Sequence, residues 1–443
     1  MKTLEIHELG EIIRKVRKER GLRLEDLADD NISPATISNI ERGVPHVSKD
    51  KAYYLLEKLE IQADQLPSLM MDEQEQLKDL WIQLRLVRSR LEFGEVNEAL
   101  PLLNGLELED KHPFSSEVQY LKGRCHFKQN NLRRAERAYQ KALHLAQYAS
   151  ESSNMEARCH LQLGVCAYGR NELDDALRHT ENGIRSYHSV TPHQPVWYLL
   201  HCNHALYLER LGRFAESLRV VQEHWDSLGE TDELQVILTF YWLRSELSRR
   251  SKMLDEALQF AYKGEEIARR NHNHFSMFTF WTAIGSIHMD RQEWFKAEES
   301  FKTALLCEGK LSTDETSFTN TYSRLSILLM QQDKQEEAYA MIQKAIRTGE
   351  HCDDAPRLIN ALMIQGNFYK SHGRMEQAIQ SYRQALSLSR KYGYKKKTYR
   401  VLYLLAQCWD GRNEAEFQHC MRELYLIQKE IQSGDELFGE VEW

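Results

Sequence analysis

Residues 121–147, LKGRCHFKQNNLRRAERAYQKALHLAQ, hold the pattern that decides the fold. Gly123 begins it, and Ala135, Tyr139 and Ala142 follow at intervals of 12, 4 and 3 residues. Residues 364–390, IQGNFYKSHGRMEQAIQSYRQALSLSR, repeat these residue types at the same intervals. Two further copies stand at Gly164, Ala176, Thr180 and Gly183, and at Gly285, Ala297, Phe301 and Ala304. The chain is therefore built on an internal repeat.

Each copy predicts two helices, because apolar residues recur at helical spacing on both sides of a short polar turn. The small residues of the pattern allow the two helices to approach closely. The aromatic residue four places beyond the second-helix alanine is expected to fill the groove beside that contact. These positions predict packing and no chemistry of their own.

The small residue of the second helix recurs at positions 135, 176, 217, 257, 297, 338 and 378, in steps of 40 or 41 residues. This array resembles tetratricopeptide repeats, which share its small and aromatic packing positions but have a usual period of about 34 residues. The resemblance implies longer helices than usual. We therefore predict an all-α protein whose array is a right-handed superhelix of tetratricopeptide-like helix pairs.

The composition limits the partners and the compartment. A net charge of -8 gives no global attraction to nucleic acid or an anionic membrane, so any DNA contact must be local. The eight cysteines form no Cys-x-x-Cys pair and suit buried positions in a reducing compartment. The acidic N-terminus lacks the core of a signal peptide, and the uncharged stretch 271–289 is too polar for a membrane span. We expect a cytoplasmic protein without a membrane partner.

The first sixty residues predict a separate module of short helices. The apolar face of residues 9–16 indicates a helix that Gly21 ends, and a short helix follows at 24–30. Ser33 and Pro34 provide the N-cap and the first-turn proline of a third helix. In the turn before it, Asn31 is a residue type that tolerates positive φ.

This order of helices resembles the helix-turn-helix of the phage-repressor type, which is widespread among bacterial regulators. The residues that carry the likeness are Ile12, Arg17, Gly21, Leu22, Leu27, Ala28, Ile37, Ser38, Ile40, Glu41, Arg42 and Gly43. The chain departs from the usual pattern in two ways. Leu24 stands where many members have glutamine, and the turn before the third helix lacks the usual glycine.

The resemblance implies that the third helix enters the major groove of DNA. The residues nearest the bases would be Pro34, Ala35, Thr36 and Asn39. Asn39 has the donor and the acceptor to pair with adenine, while Ser33 and Arg42 would hold phosphates. The resemblance also implies an internal ion pair between Arg17 and Glu41.

The charge of this module indicates weak DNA binding by a single copy. Residues 1–60 contain 11 lysines and arginines against 12 aspartates and glutamates, a net charge of -1. Two copies on a palindromic operator double the phosphate contacts, so we expect a homodimer or higher oligomer on double-stranded DNA. The alternative is a helix-turn-helix that serves as a protein-interaction module.

The expected domains follow from these two patterns. They are an XRE/Cro-type helix-turn-helix domain at 1–66, a linker at 67–74, a tetratricopeptide peptide-binding and dimerisation domain at 75–432, and an acidic tail at 433–443. Within stacked repeats of this kind, the first helix of each pair lines the concave wall.

Counting along these first helices gives the candidate peptide-binding residues Arg124, Trp242, Glu246, Arg249, Asn320, Asn360, Met363 and Asn367. Asn320 and Asn360 occupy the same place in successive repeats. Because an asparagine amide both donates and accepts, a ladder of such residues suits the backbone of an extended peptide. The alternative is that these asparagines are only solvated surface.

Other constellations predict no chemistry. His201 and His204 have one-turn spacing around Cys202, but no acidic or cysteine partner is near them in sequence, so no metal site is predicted. No nucleophile motif, phosphate loop or matched acid pair is evident. We therefore expect no catalytic residue, no metal, no cofactor and no enzymatic activity.

The two modules together resemble the RRNPP family of peptide-sensing regulators of Gram-positive bacteria, which comprises Rgg, Rap, NprR, PlcR and PrgX proteins. The resemblance implies a quorum-sensing receptor for a short imported signalling peptide that changes oligomeric state and DNA binding. Rap-type members imply an alternative, in which the chain inhibits or dephosphorylates a phosphorelay response regulator. A phage receptor that controls lysis and lysogeny has a similar architecture and is a further alternative.

Overall fold

The computed structural model describes residues 6–44, 47–61, 66–149, 153–188, 195–308, 310–311 and 318–436. Within these ranges the regular elements are helices, which confirms the predicted all-α class. The α-helices are α1 (Ile6–Glu19), α2 (Leu24–Leu27), α3 (Pro34–Glu41), α4 (Lys49–Lys58), α5 (Leu66–Glu92), α6 (Val96–Asn104), α7 (Ser115–Lys128), α8 (Leu132–Leu145), α9 (Met155–Gly169), α10 (Leu173–Arg185), α11 (Pro195–Leu211), α12 (Phe214–His224), α13 (Leu234–Arg250), α14 (Leu254–Arg270), α15 (His274–Asp290), α16 (Trp294–Leu305), α17 (Phe318–Gln331), α18 (Gln335–His351), α19 (Ala355–Ser371), α20 (Met375–Lys391), α21 (Lys395–Trp409) and α22 (Glu414–Glu436). The chain divides into two compact units, Met1–Leu106 and Glu107–Trp443.

In the first unit, α1, α3 and α4 enclose a small apolar core. Leu9, Ile37 and Leu55 from these three helices are fully buried in it. A Cβ built on Gly10 would lie 2.0 Å from the carbonyl oxygen of Ile40. Helices α1 and α3 therefore cross at a distance that leaves no room for a side chain at position 10.

The chain between this module and the helix pairs differs from the prediction. Residues 67–74, which were expected to form a linker, lie within α5, which begins at Leu66. The sequence reasoning treated Pro67 as a break, but Pro67 is the second residue of α5, where a missing N–H costs no helical hydrogen bond. At the other end, α22 continues to Glu436, and the rest of the predicted acidic tail lies outside the described residues.

The second unit consists of helix pairs, from α7 with α8 to α21 with α22, and it confirms the packing that the repeat predicted. The marker residues 135, 176, 217, 257, 297, 338 and 378 are all fully buried. In the best-preserved copies, the glycine of the first helix faces the aromatic ring of the second, as Gly123 faces Tyr139 and Gly366 faces Tyr382. The longest described helices of this unit, apart from α22, have 17 residues, and α22 is longer still. These lengths agree with the longer helices that the 40-residue period predicted.

The turn inside each helix pair contains one residue with positive φ, and the residue types at this position do not reveal it. One residue takes a positive φ between 57° and 78° in each of these turns: Asn130, Asn171, Gly212, Lys252, Gln292, Asp333, Gly373 and Gly411. The N–H that follows returns to a carbonyl near the end of the first helix, as Arg374 does to Tyr369 at 2.9 Å. In seven of the eight turns this bond reaches five residues back, whatever the type of the positive-φ residue, whereas in the α21–α22 turn Arg412 bonds to Trp409, three residues back.

Replacing Gly366 with alanine is expected to lower the free energy of unfolding by about 1–3 kcal/mol. The new Cβ would lie 2.3 Å from the ring of Tyr382, which is fully buried and donates a hydrogen bond to Asn367 through its hydroxyl, so the ring cannot simply move away. Thermal unfolding measures the effect. Gly229→Ala is the matched control, because a Cβ there meets no atom within 4 Å. Equal stability of the two variants would contradict the close approach of α19 and α20.

The buried character of the array extends to its cysteines and to the uncharged stretch. Six of the eight cysteines are buried, Cys307 and Cys352 are partly exposed, and none of the eight forms a disulfide. The uncharged stretch overlaps α15, and its Phe278, Phe280 and Ile284 are buried. Among the helices of the described ranges, none has the length and apolar character needed to cross a membrane.

Candidate functional site

The core of the helix-turn-helix contains the ion pair that the resemblance implied. The Arg17 guanidinium donates to both oxygens of the Glu41 carboxylate, at 2.6 Å from Nε to Oε1 and 2.9 Å from Nη2 to Oε2. Its Nη1 also donates to the carbonyl of Leu22 at 2.7 Å. Both charged side chains are largely buried, so the pair joins α1 to α3 and is not available to DNA. This prediction is confirmed.

The turn between α2 and α3 explains how the module manages without the usual glycine. The carboxylate of Asp29 accepts hydrogen bonds from the backbone N–H groups of Asn31 and Ile32, and so closes the turn locally. The same carboxylate accepts from Lys58 and from the Tyr54 hydroxyl of α4, both at 2.6 Å. The Lys58 ammonium, followed by the Tyr54 hydroxyl, holds the pKa of Asp29 well below its usual range. Asn31 does not take positive φ here, although its residue type tolerates it.

Helix α3 presents the predicted DNA-contacting residues away from the core. Ile37 and Ile40 face inward and are fully buried, while Ala35 and Arg42 are exposed. Ser33 is the N-cap, and its hydroxyl oxygen accepts from the Thr36 N–H at 3.3 Å. The N-cap fixes the beginning of the helix that carries the candidate base contacts.

Asn39 is held in place before any DNA binds. The Arg42 guanidinium donates from Nη2 to the side-chain oxygen of Asn39 and from Nε to the carbonyl of Ser38 at 3.3 Å. An amide oxygen has two lone pairs, so Asn39 retains one acceptor site and both N–H donors for a base edge. The geometry is compatible with the bidentate adenine contact, which stays a prediction.

The second unit encloses a cavity of about 660 Å³. Most of its wall comes from the first helices of successive pairs, α11, α13, α15, α17, α19 and α21, which agrees with the predicted concave wall. Its apolar lining includes Leu238, Trp242, Phe278, Phe280 and Met363. Such a mixture of apolar wall and a few polar groups is typical of a ligand site.

Five of the eight candidate peptide-binding residues line this cavity: Trp242, Glu246, Asn320, Asn360 and Met363. The other three do not. Arg249 is buried in ion pairs with Glu246 and Asp290, Asn367 is exposed and accepts from the Tyr382 hydroxyl at 2.6 Å, and Arg124 lies in α7, before the helices that form the wall. The role of all eight in peptide binding stays a prediction.

The asparagines in the cavity have amide groups to offer a ligand. The Asn360 oxygen accepts from Nζ of Lys397 at 2.7 Å, and its amide nitrogen has no acceptor among the described residues. No side-chain hydrogen bond joins Asn320 to any residue in the described ranges, although Asn320 lines the same cavity. Two amide groups of successive repeats are thus free to contact a peptide backbone, while Lys397 orients one of them.

Sequence reasoning missed the charge of the cavity. Seven cationic residues line it, Arg210, Arg250, Arg324, Arg357, Lys396, Lys397 and Arg400, against the two acidic residues Glu209 and Glu246. The sequence contained one indication of this charge. The basic run at 395–397 begins a first helix of the array, α21, and Arg400 follows in the same helix. The remaining cations are dispersed along the sequence and meet only in the folded superhelix.

Contacts between distant repeats help to bring these cations together. The side-chain amide of Asn171, in the turn after α9, donates to the carbonyl of Asp353 at 2.9 Å. The Tyr394 hydroxyl, just before α21, donates to the carbonyl of Asn171 at 3.0 Å. These bonds join residues 182 and 223 positions apart, so the superhelix completes a turn around the cavity.

Burial changes the pKa of two cavity cations. Burial lowers the pKa of Lys397 to about 8, opposed by the nearby Asp354 charge and reinforced by Arg210, Arg400 and Arg357. Burial, followed by the charge of Arg249, lowers the pKa of Arg324 to about 10, so its guanidinium remains charged at neutral pH. The acid Glu246 stays ionised: burial, the largest single effect, raises its pKa, but the hydrogen bonds from Arg249 together with the charges of Arg249, Arg324 and Arg250 lower it to about 2.

An anion bound beside Lys397 is expected to bind more weakly as the pH rises through about 8. Below that value Lys397 is protonated and attracts the anion, and above it the amine is neutral, so affinity falls by up to about tenfold between roughly pH 7 and 9. Titration calorimetry with N-acetylated tetraglutamate measures this, since acetylation removes the peptide amine that titrates in the same range. In Lys397→Arg the affinity should stay constant across this range. A wild-type affinity that does not change would contradict contact with Lys397.

Comparisons with known proteins agree with this architecture. Residues 13–66 match the family described as Helix-turn-helix, residues 51–164 the Tetratricopeptide repeat-like domain, and residues 359–392 the Tetratricopeptide repeat. No curated protein matches the sequence.

Solved structures give the wider similarity. The Rap protein complexed with Competence and Sporulation Factor aligns with a TM-score of 0.60 at 12% identity, over 80% of this chain and 99% of that one. NprR in complex with its cognate peptide NprX gives 0.59 at 14%, over 80% and 99%. The apo form of the quorum sensor NprR from B. thuringiensis gives 0.56 at 16%, over 80% and 98%. The resemblance to the RRNPP regulators is therefore confirmed for the fold: the chain joins a helix-turn-helix module to a tetratricopeptide array of the kind found in Rap and NprR.

Proposed function

We propose that this chain is a transcriptional regulator whose DNA binding is controlled by a short signalling peptide held in the cavity of its tetratricopeptide array. The observation that carries the proposal is the cavity itself, whose wall is formed by first helices of successive pairs in a chain that also has a helix-turn-helix. The structurally similar NprR was solved in complex with its cognate peptide NprX, and Rap with Competence and Sporulation Factor; the NprR complex supports a peptide ligand here.

The lining of the cavity suits the backbone and the side chains of a peptide. The amide groups of Asn320 and Asn360 supply donors and acceptors at matching places of α17 and α19, for the peptide groups that every residue carries. Trp242 offers an apolar face to a side chain, and the guanidinium of Arg210 lies 5.5 Å from the centre of its ring. Met363 adds a flexible apolar contact.

The peptide acts by favouring one arrangement of the array over another. A ligand that touches several helix pairs binds differently when the superhelix opens or closes, and it shifts the equilibrium by no more than its difference in affinity for the two states. In this proposal the array also joins two copies, so that two α3 helices reach the half-sites of a palindromic operator. Two copies also compensate for the net charge of -1 of residues 1–60.

The experiment that tests this function identifies the ligand directly. Purified protein is mixed with the peptide fraction of spent medium from its own host, separated by gel filtration and analysed by mass spectrometry. The proposal expects one short peptide to be retained, and that peptide, once synthesised, to change the protection of an operator by the protein. Protein that retains no peptide and instead retains a response regulator from a host lysate would contradict it.

A further inference from the structure

The cavity is basic although the chain is acidic. Seven cations and two carboxylates line the cavity, whereas the whole chain has a net charge of -8. Both carboxylates already have cationic partners: Glu246 contacts Arg249 and Arg250 at 2.7 and 2.8 Å, and Glu209 contacts Arg250 at 3.2 Å. The excess positive charge is therefore concentrated where a ligand would lie.

The excess positive charge lies at two places in the cavity, which we call poles. The first pole is Arg324 of α17. Its Nε is buried and has no hydrogen-bond acceptor in the described ranges, and no ion pair joins its guanidinium to a carboxylate there. The charges that act most strongly on it are those of Arg249, Glu246, Arg250 and Asp290, which are bound to one another. A partly buried guanidinium without a carboxylate is costly to keep, and a ligand anion would relieve that cost.

The second pole is formed by Lys397 and Arg400 of α21. The Lys397 ammonium donates to the carbonyl of Pro356 at 3.0 Å and to Asn360 at 2.7 Å, both of which are neutral acceptors. The nearby carboxylate, Asp354, is already bonded to Arg357 at 2.6 Å. The second pole, like the first, therefore has no carboxylate of its own, in the part of the chain that the structure describes, to balance its positive charge.

The two poles are separate sites. Arg324 lies on α17 and Lys397 on α21, and α19, which also lines the cavity, comes between these two first helices in the array. A single small anion would neutralise only one pole. An extended chain with carboxylates at two places would reach both, and the asparagine amides and the apolar residues of the same wall suit its backbone and remaining side chains.

We propose that the ligand of this cavity is an acidic peptide with at least two carboxylates, one bound by Arg324 and the other by Lys397 and Arg400. This inference rests on the proposed function and adds the chemical class of the peptide. It explains why the array keeps a guanidinium that has no carboxylate partner and whose Nε is buried without an acceptor among the described residues.

The test compares two mixtures of N-acetylated heptapeptides with the same apolar residues at the same positions. One mixture carries two glutamates, and the other carries glutamine in their place. Binding to the full-length protein is followed by its intrinsic tryptophan fluorescence, to which Trp242 in the cavity contributes, and by calorimetry. We expect the glutamate mixture to bind about 100-fold more tightly, since a charged hydrogen bond exceeds a neutral one by about tenfold in affinity and each peptide carries two glutamates. The preference should weaken as the salt concentration rises.

Variants assign the preference to the two poles. Arg324→Gln and Lys397→Gln are each expected to reduce the preference for glutamate by about tenfold, and the double variant should abolish it. Lys263→Gln, an exposed lysine of α14 outside the cavity, is the control and should leave it unchanged. Arg324→Gln should also raise the unfolding temperature of the ligand-free protein, because it removes an unpaired buried charge. A lower unfolding temperature with unchanged peptide preference would make Arg324 structural and overturn its assignment.

The remaining outcomes separate this inference from the proposed function. Equal binding of the two mixtures would overturn the acidic ligand and leave a peptide receptor. Binding of neither mixture would overturn both. Inorganic phosphate provides the last arm: if it displaces the glutamate mixture at equal concentration, the cavity is a phosphate site and the acidic-peptide assignment is wrong.

Discussion

Asn39→Ala is expected to weaken operator binding by about 2–6 kcal/mol in a dimer, because each copy loses an adenine contact worth about 1–3 kcal/mol. This corresponds to a loss of about 30-fold to more than 1,000-fold in affinity. The loss should be confined to operators with adenine at the contacted position, because the amide recognises the base edge and not the phosphate. Fluorescence anisotropy with the operator and with a variant that replaces this adenine measures both effects.

The control for this prediction is Lys51→Gln. Lys51 is an exposed residue of α4 and belongs to no predicted base contact, so its loss should have a small effect that is the same for every DNA sequence. Asn39 contributes no buried core contact, and Ile37 and Ile40 hold α3 in place without it. An Asn39→Ala protein that discriminates the two operators as well as the wild type would contradict the assigned groove contact.

The double variant Asn320→Ala and Asn360→Ala is expected to lose about 2–3 kcal/mol of peptide affinity, or about 30-fold to 150-fold. Each substitution removes an amide that lines the cavity and leaves a peptide group without its partner. Removal of Asn360 also deprives Lys397 of an acceptor at 2.7 Å. Calorimetry with the retained peptide measures affinity, and thermal unfolding verifies that the fold is intact.

Two single variants make this test specific. Asn182→Ala changes an asparagine of α10, a second helix outside the cavity lining, and should leave peptide affinity unchanged. Asn367→Ala distinguishes the site assigned by counting along the helices from the site assigned by the cavity lining. Counting includes Asn367, whereas the structure places it outside the lining. Unchanged peptide affinity in the double variant would show that Asn320 and Asn360 do not contribute to peptide binding.

The packing of the array followed directly from residue types. A glycine such as Gly366 and an aromatic residue such as Tyr382 have a fixed spacing, so the contact between their helices was predictable. The turns were less visible, since Lys252 and Gln292 take the positive φ that glycine takes in other repeats. The linker prediction failed because a proline breaks a helix interior but is well tolerated in a first turn, where Pro67 lies.

The candidate site was predictable only in part. Helical counting found Trp242, Asn320 and Asn360, because each repeat places its first helix on the same wall. It could not find the charge of the cavity, because Arg210 and Lys397 are far apart in sequence and become neighbours through closure of the superhelix. The net charge of the chain even suggested the opposite sign. Local electrostatics depend on long-range contacts that no single repeat contains.

The most direct test of the central claim is the selection of genomic DNA fragments by the purified full-length protein, with and without the peptide fraction of spent medium from its own host. The recovered fragments are expected to share a palindrome, and the peptide fraction is expected to change their occupancy. Asn39→Ala is expected to abolish the enrichment, and the double asparagine variant is expected to keep the enrichment but no longer respond to the peptides. Recovery of no common sequence in either condition would contradict a peptide-controlled DNA-binding regulator.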